Sequence, residues 1–210
     1  MALGLLEKIQ SWRFHYGLDL MVQAYRASRS EPQSDKARVM RAWQAIDASP
    51  GSVVNEADED EYRNHLSALD TEANEILKLI QESFVISLFH YWERQSKSWT
   101  GKMVYRHDDM MADLAARGMS PERASLDTLR LVANVAKHSA GDSAEKLFAK
   151  RPDLFRHSVV AEETQIPRRD DEPEPAYVPG YEDLRVSHEL LEQFFADVRH
   201  SGPQRTRISF

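Results

Sequence analysis

Apolar residues recur every three or four positions along most of the chain, a spacing that predicts helices almost throughout. Leu5, Leu6, Ile9, Trp12, Phe14, Leu18, Met21, Val22 and Tyr25 give a broad apolar side to a helix over 3–29, interrupted at Gly17. The turn-rich run SRSEPQS at 28–34 predicts a break. A short helix over 35–48 follows, carrying Val39, Met40, Trp43 and Ile46, and Ser49-Pro50-Gly51-Ser52 ends it. Residues 56–98 read as one very long helix or two in line. Their acidic opening, EADEDEY, suits the positive end of a helix dipole. Leu66, Leu69, Ala73, Ile76, Leu77, Ile80, Phe84, Leu88 and Trp92 then keep a period near 3.6. In the two-helix alternative the break falls near Asp70-Thr71, where the aspartate would cap the second helix. FVISLFHYWERQ at 84–95 is apolar nearly all round and is expected to be buried on several sides.

Beyond a connector at 98–109 the spacing predicts a short helix over 109–117, stopped by Gly118 and capped by Asp108. The stretch 120–142 has the clearest boundaries: Ser120 as N-cap, Pro121 at the first helical position and Ser139-Ala140-Gly141 as the stop. Its apolar face is Leu126, Leu129, Val132, Ala133 and Ala136. A further short helix lies within 143–155, ending before Pro152. Residues 161–180, rich in Pro and in both charges, read as a loop or extended arm. A last helix over 181–199 carries Leu184, Val186, Leu190, Leu191, Phe194, Phe195 and Val198. No strand pattern or internal repeat appears. The expectation is an all-α, multi-helix bundle with one long central helix: a bundle domain over 1–160, the arm at 161–180, a C-terminal helix at 181–200 packing on the bundle, and a mobile tail at 201–210.

Composition narrows the chemistry. Zero cysteines among 210 residues exclude disulfides, thiolate catalysis and zinc–cysteine sites, and fit a reducing cytoplasm. No apolar run approaches the ~20 residues that span a bilayer, so no membrane partner is expected. The net charge of −7 argues against broad, sequence-independent nucleic-acid binding. An RNA or nucleotide would have to be gripped locally.

The feature least expected by chance is a polar stripe on 120–142. Arg130, Asn134 and His138 recur every fourth residue, with Lys137 at the edge. An imidazole can give and take protons near neutrality, and cations beside it can hold a phosphate. On RNA the 2′-hydroxyl is a built-in nucleophile, so such chemistry calls for no metal and no cofactor. The bland alternative is a solvated helix edge with a histidine at the end where the dipole welcomes a cation.

VANVAKHSAG at 132–141, on an all-α chain whose long preceding helix carries LFHYWERQ at 88–95, resembles the HEPN superfamily over roughly residues 60–155. That resemblance implies a helical bundle, frequent dimerisation and a motif of arginine, four to six residues, then histidine, often with a polar residue directly after the arginine. Asn134 and His138 stand where the polar residue and the histidine belong. Ala133 takes the arginine position, and Arg130 lies one turn earlier with seven residues between it and His138. The resemblance implies a metal-independent endoribonuclease in RNA processing or defence, with the motifs of a homodimer forming one site. His138 would be the general acid/base, Asn134 would orient it or the phosphate, and Arg130 with Lys137 would bind the phosphate. The competing expectation is a non-catalytic dimerisation or protein-binding scaffold with a degenerate site, engaging a protein partner through the 161–180 arm.

Three further sets are weaker candidates. His90 and Glu93, beside Arg94, would orient His138 from across the bundle, or His90 would be a satisfied core histidine and Glu93 with Arg94 a helix-surface pair. Arg106-His107-Asp108-Asp109 has an adjacent His-Asp pair suited to a metal. It would need His65, Asp70 or His157 as further ligands, and no spacing supports them. Trp12, Trp43, Trp92 and Trp99 could stack bases, but their helical spacing in an acidic chain favours core positions.

Overall fold

The computed structural model describes residues 4–48, 56–102, 106–156 and 179–204. It is an all-α bundle: α1 (Leu5–Ser28), α2 (Ser30–Ala48), α3 (Glu56–Thr100), α4 (His107–Ala116), α5 (Arg123–His138), α6 (Asp142–Lys150) and α7 (His188–His200). Short 3-10 turns lie at Pro152–Leu154 and Tyr181–Asp183. Among the described residues there is no strand, and Phe155 and Leu184 form an isolated antiparallel bridge. Among the same residues no helix is long and apolar enough to cross a membrane.

Element boundaries differ from the sequence pattern where local chemistry has two uses. The run at 28–34 is not an open break, because α2 already begins at Ser30. Pro32 falls in its first turn, where a missing N–H costs nothing. α3 runs unbroken for 45 residues. Asp70 accepts a hydrogen bond from the Asn74 amide one turn on (2.8 Å), and the Thr71 hydroxyl donates back to the Ser67 carbonyl (2.9 Å). Both side chains are therefore satisfied inside a continuing helix, and neither caps a new one. α4 starts at His107, which puts Asp108 inside the first turn with Arg106 at the N-cap position. α5 starts at Arg123, three residues beyond Ser120. α7 starts at His188, because the Ser187 hydroxyl accepts from the Leu190 N–H at 3.1 Å, a true N-cap. The residues before it are drawn into the Phe155–Leu184 bridge, where the Arg185 N–H donates to the Leu154 carbonyl (2.7 Å).

The chain divides into two compact units, 1–22 with 82–210 and 23–81. In the smaller unit Val39 and Ile46 of α2 bury against Leu66 of α3, flanked by Ala42, Trp43 and Leu69. The Arg63 guanidinium lies 5.7 Å from the Trp43 ring centroid. In the larger unit Phe14, Leu18, Val85, Leu88, Trp92, Leu114, Leu126, Leu129, Leu147, Leu191 and Phe194 form the buried core. Trp92 is fully buried, and its indole N–H donates to the Ser201 hydroxyl at 2.8 Å. Beyond α7 the backbone stays pinned through residue 204. The Pro203 carbonyl meets His15 Nε2 (2.9 Å), and the Gln204 carbonyl accepts from Ser11 (2.7 Å). Residues 205–210 of the expected tail, and 161–178 of the expected arm, lie outside the described residues.

Candidate functional site

α5 is the element on which the candidate chemistry stands. Leu126, Leu129, Val132 and Ala133 are buried as the periodicity requires, and Leu131 and Val135 are buried too. The helix is enclosed from more than one side because α6 and α7 both pack on it. On the α7 side the Ser125 hydroxyl donates to the buried Asp197 carboxylate, which also accepts from Gln193 (2.9 Å). α5 ends at the expected place. Ser139 takes a left-handed φ of 68°, its N–H bonded to the Val135 carbonyl. Its polar stripe is thus carried on a helix clamped along its length.

The stripe splits into two environments. Lys137 and His138 occupy the exposed last turn, and neither side chain makes a hydrogen bond or ion pair with any described residue. Asn134 is half-buried, its amide 3.5 Å from the Ser143 hydroxyl at the start of α6. Arg130 is directed elsewhere. Its guanidinium donates to Asp127 one turn back at 2.9 Å, and the other oxygen of that carboxylate accepts from Lys150 of α6 at 2.6 Å. Asp127 therefore ties α5 to α6, its single negative charge shared between the two cations. Burial alone would push the Asp127 carboxyl up, but hydrogen bonds from Lys150 and Arg130 outweigh it and hold the group down at about 2.

A further titratable group faces this cluster. His107 at the start of α4 lies with its Nε2 3.8 Å from Asp127, and its ring centroid is 5.6 Å from that of Trp92. Both ring nitrogens are buried, and neither has a hydrogen-bond partner among the described residues. Burial, then the positive field of Arg130, lowers its proton affinity; Asp127 and Asp108 oppose them. Asp108 points away into solvent and pairs with Arg123 at 3.0 Å. The His-Asp neighbours of the sequence thus diverge. Among the described residues no group of three or more His, Asp or Glu side chains could hold a metal ion. His157 lies outside them.

His90 and Glu93 sit on α3, 3.7 Å apart, with Glu93 also bound to Lys97 at 3.0 Å. No hydrogen bond or ion pair joins either of them to His138. Of the tryptophans, Trp92 and Trp99 are core, Trp43 is half-buried, and Trp12 is 44% exposed and stacks on Tyr16 (5.1 Å, 8°). The residues that sequence periodicity could not assemble are His107, Asp127 and Lys150. Only the i, i+3 spacing of Asp127 and Arg130 hinted at any of it.

Comparison with known proteins adds no relative: no family model, no curated protein and no solved structure matches the chain.

Proposed function

We propose that the chain is a metal-independent endoribonuclease in which His138, in the last turn of α5, moves the protons. The observation that carries this reading is an exposed imidazole beside a lysine with no side-chain partner among the described residues, at the open end of a helix clamped along its length by its neighbours. The neutral imidazole of His138 takes the proton of an RNA 2′-hydroxyl. That oxygen attacks the adjacent phosphorus, the bond to the 5′-oxygen breaks, and a second proton donor restores the leaving hydroxyl. The products are a 2′,3′-cyclic phosphate and a 5′-hydroxyl. One histidine cannot stand on both sides of the phosphorus at once, so the second donor is the His138 of another copy, which makes the active species a homodimer. Lys137 neutralises charge developing on the phosphate, and Asn134 donates its amide to a phosphate oxygen. Arg130, engaged by Asp127, contributes through the N–H groups that the carboxylate leaves.

A second reading, a helical dimerisation scaffold without catalysis, is favoured by one observation. The Arg130 guanidinium, the natural phosphate clamp of the stripe, is already bound to a carboxylate. Incubation of the purified chain with mixed cellular RNA in EDTA, beside His138→Ala, separates the two. Cleavage that the variant loses supports the ribonuclease. No cleavage by either folded protein supports the scaffold, and equal cleavage by both removes His138 from the chemistry.

A further inference from the structure

The last three turns of α3 present a face that the proposed reaction does not use. His90, Glu93, Arg94, Lys97, Ser98 and Gly101 recur at helical spacing and, with Lys102, line a hollow of about 680 Å³. That volume lies within the range of roughly 300–1,000 Å³ typical of small-ligand sites. The lining holds three permanent cations and an imidazole against one carboxylate, on a chain whose net charge is −7.

The charges are not equivalent. Lys97 is bound to Glu93 at 3.0 Å, and Lys102 to Asp113 at 2.5 Å. Arg94 has no carboxylate within ion-pair distance among the described residues. Its guanidinium instead lies 5.9 Å from the Tyr91 ring centroid, and the Tyr91 hydroxyl is anchored on the Phe14 carbonyl at 2.8 Å. An aromatic neighbour holds a guanidinium in place without neutralising it. Beside it the exposed Ser98 adds a hydroxyl, and Gly101, at a left-handed φ of 74°, ends the helix with no side chain to fill the floor. A planar fork of N–H donors next to a hydroxyl and further cations suits the tetrahedral oxygens of a phosphate. Tyr91 is buried, so the ring beside Arg94 offers no open face to a base, and the aromatic ring that the lining itself presents is the exposed His90 imidazole.

We propose that this hollow at the end of α3 is a phosphate-binding site, with Arg94 as its principal donor. The site is separate from His138 and does not depend on the chain being a ribonuclease. Its ligand phosphate comes either from an RNA backbone or from a free nucleotide, and two probes distinguish the sources. A fluorescent 2′-O-methyl RNA oligonucleotide, which cannot cleave itself, and a fluorescent ATP analogue are titrated by anisotropy into the wild type, Arg94→Gln and Ser98→Glu. Both side chains concerned are exposed, so the fold is expected to survive, and far-UV circular dichroism checks it. If either variant fails to fold, the other carries the test.

At least one probe should bind the wild type and weaken with added salt. Its affinity should fall about tenfold in Arg94→Gln and in Ser98→Glu, since a charge-assisted hydrogen bond is lost or opposed. RNA binding with that dependence assigns the backbone as ligand, and ATP-analogue binding alone assigns a nucleotide. Failure of both probes to bind the wild type overturns the proposal, as does binding unchanged in both folded variants. Loss of RNA cleavage in His138→Ala is read separately, so either proposal can fail without the other.

Discussion

Replacing Asp127 with asparagine keeps the size of the side chain and removes only the charge that joins Arg130 to Lys150. The carboxyl falls from 3.8 to about 2 on folding. At ~1.4 kcal/mol per unit, that difference is worth about 2 kcal/mol. The side chain is 25% exposed, and solvent screening brings the expected loss at neutral pH to about 1–2 kcal/mol. The sign follows from linkage. The folded-state value is the lower one, so the stabilisation is fully present above 3.8 and is lost as pH falls through about 2. At about pH 3 roughly half should remain. Urea denaturation followed by circular dichroism, for wild type and Asp127→Asn at neutral pH and at about pH 3, gives both numbers. A difference near zero at neutral pH, or one that stays as large in acid, would refute the view that Asp127 stabilises the α5–α6 pair by its charge.

Two other substitutions test the packing elsewhere in the larger unit. His107 titrates below its usual 6.5 because burial, then Arg130, disfavours its charged form while Asp127 and Asp108 oppose them. The unfolded chain therefore binds the extra proton first, and the wild type should lose stability as pH falls below 6.5. His107→Phe, which keeps a ring against Trp92 and has no unpaired nitrogen, should flatten that dependence. A melting temperature that varies with pH as steeply as the wild type's would count against it. Gly17→Ala should destabilise by about 1–3 kcal/mol, because a methyl there would stand 2.5 Å from the Tyr91 hydroxyl, itself bonded to the Phe14 carbonyl. Thermal melts would show it, and an unchanged midpoint would mean that Tyr91 moves aside freely.

The legible part of this chain was whatever one helix decides for itself. Leu126, Leu129 and Val132 announce the buried face of α5 because burial of a helix repeats every 3.6 residues. Ser139–Gly141 announce its end because a left-handed residue stops the ladder there. Asp70 was misleading for the converse reason. An aspartate that can cap a helix can also bond to Asn74 within one, and only the packing around it decides between the two. The Asp127 cluster was out of reach for a different cause. Lys150 is 23 residues away, and His107 is 20 residues upstream on another helix. No periodicity reports which solvated-looking lysine folds back onto which aspartate. The consequence bears on the candidate site itself. A stripe of Arg130, Asn134 and His138 drawn from spacing alone assumes that all three side chains serve one ligand. The structure shows Arg130 turned toward Asp127 and His138 left open. Whether Arg130 serves a phosphate is therefore decided by how firmly Asp127 holds it, which makes Asp127→Asn informative for activity as well. If the arginine is a masked clamp, removing the carboxylate's charge should raise RNA affinity while lowering stability. A variant that loses stability and gains no affinity would mark Arg130 as a strut of the fold.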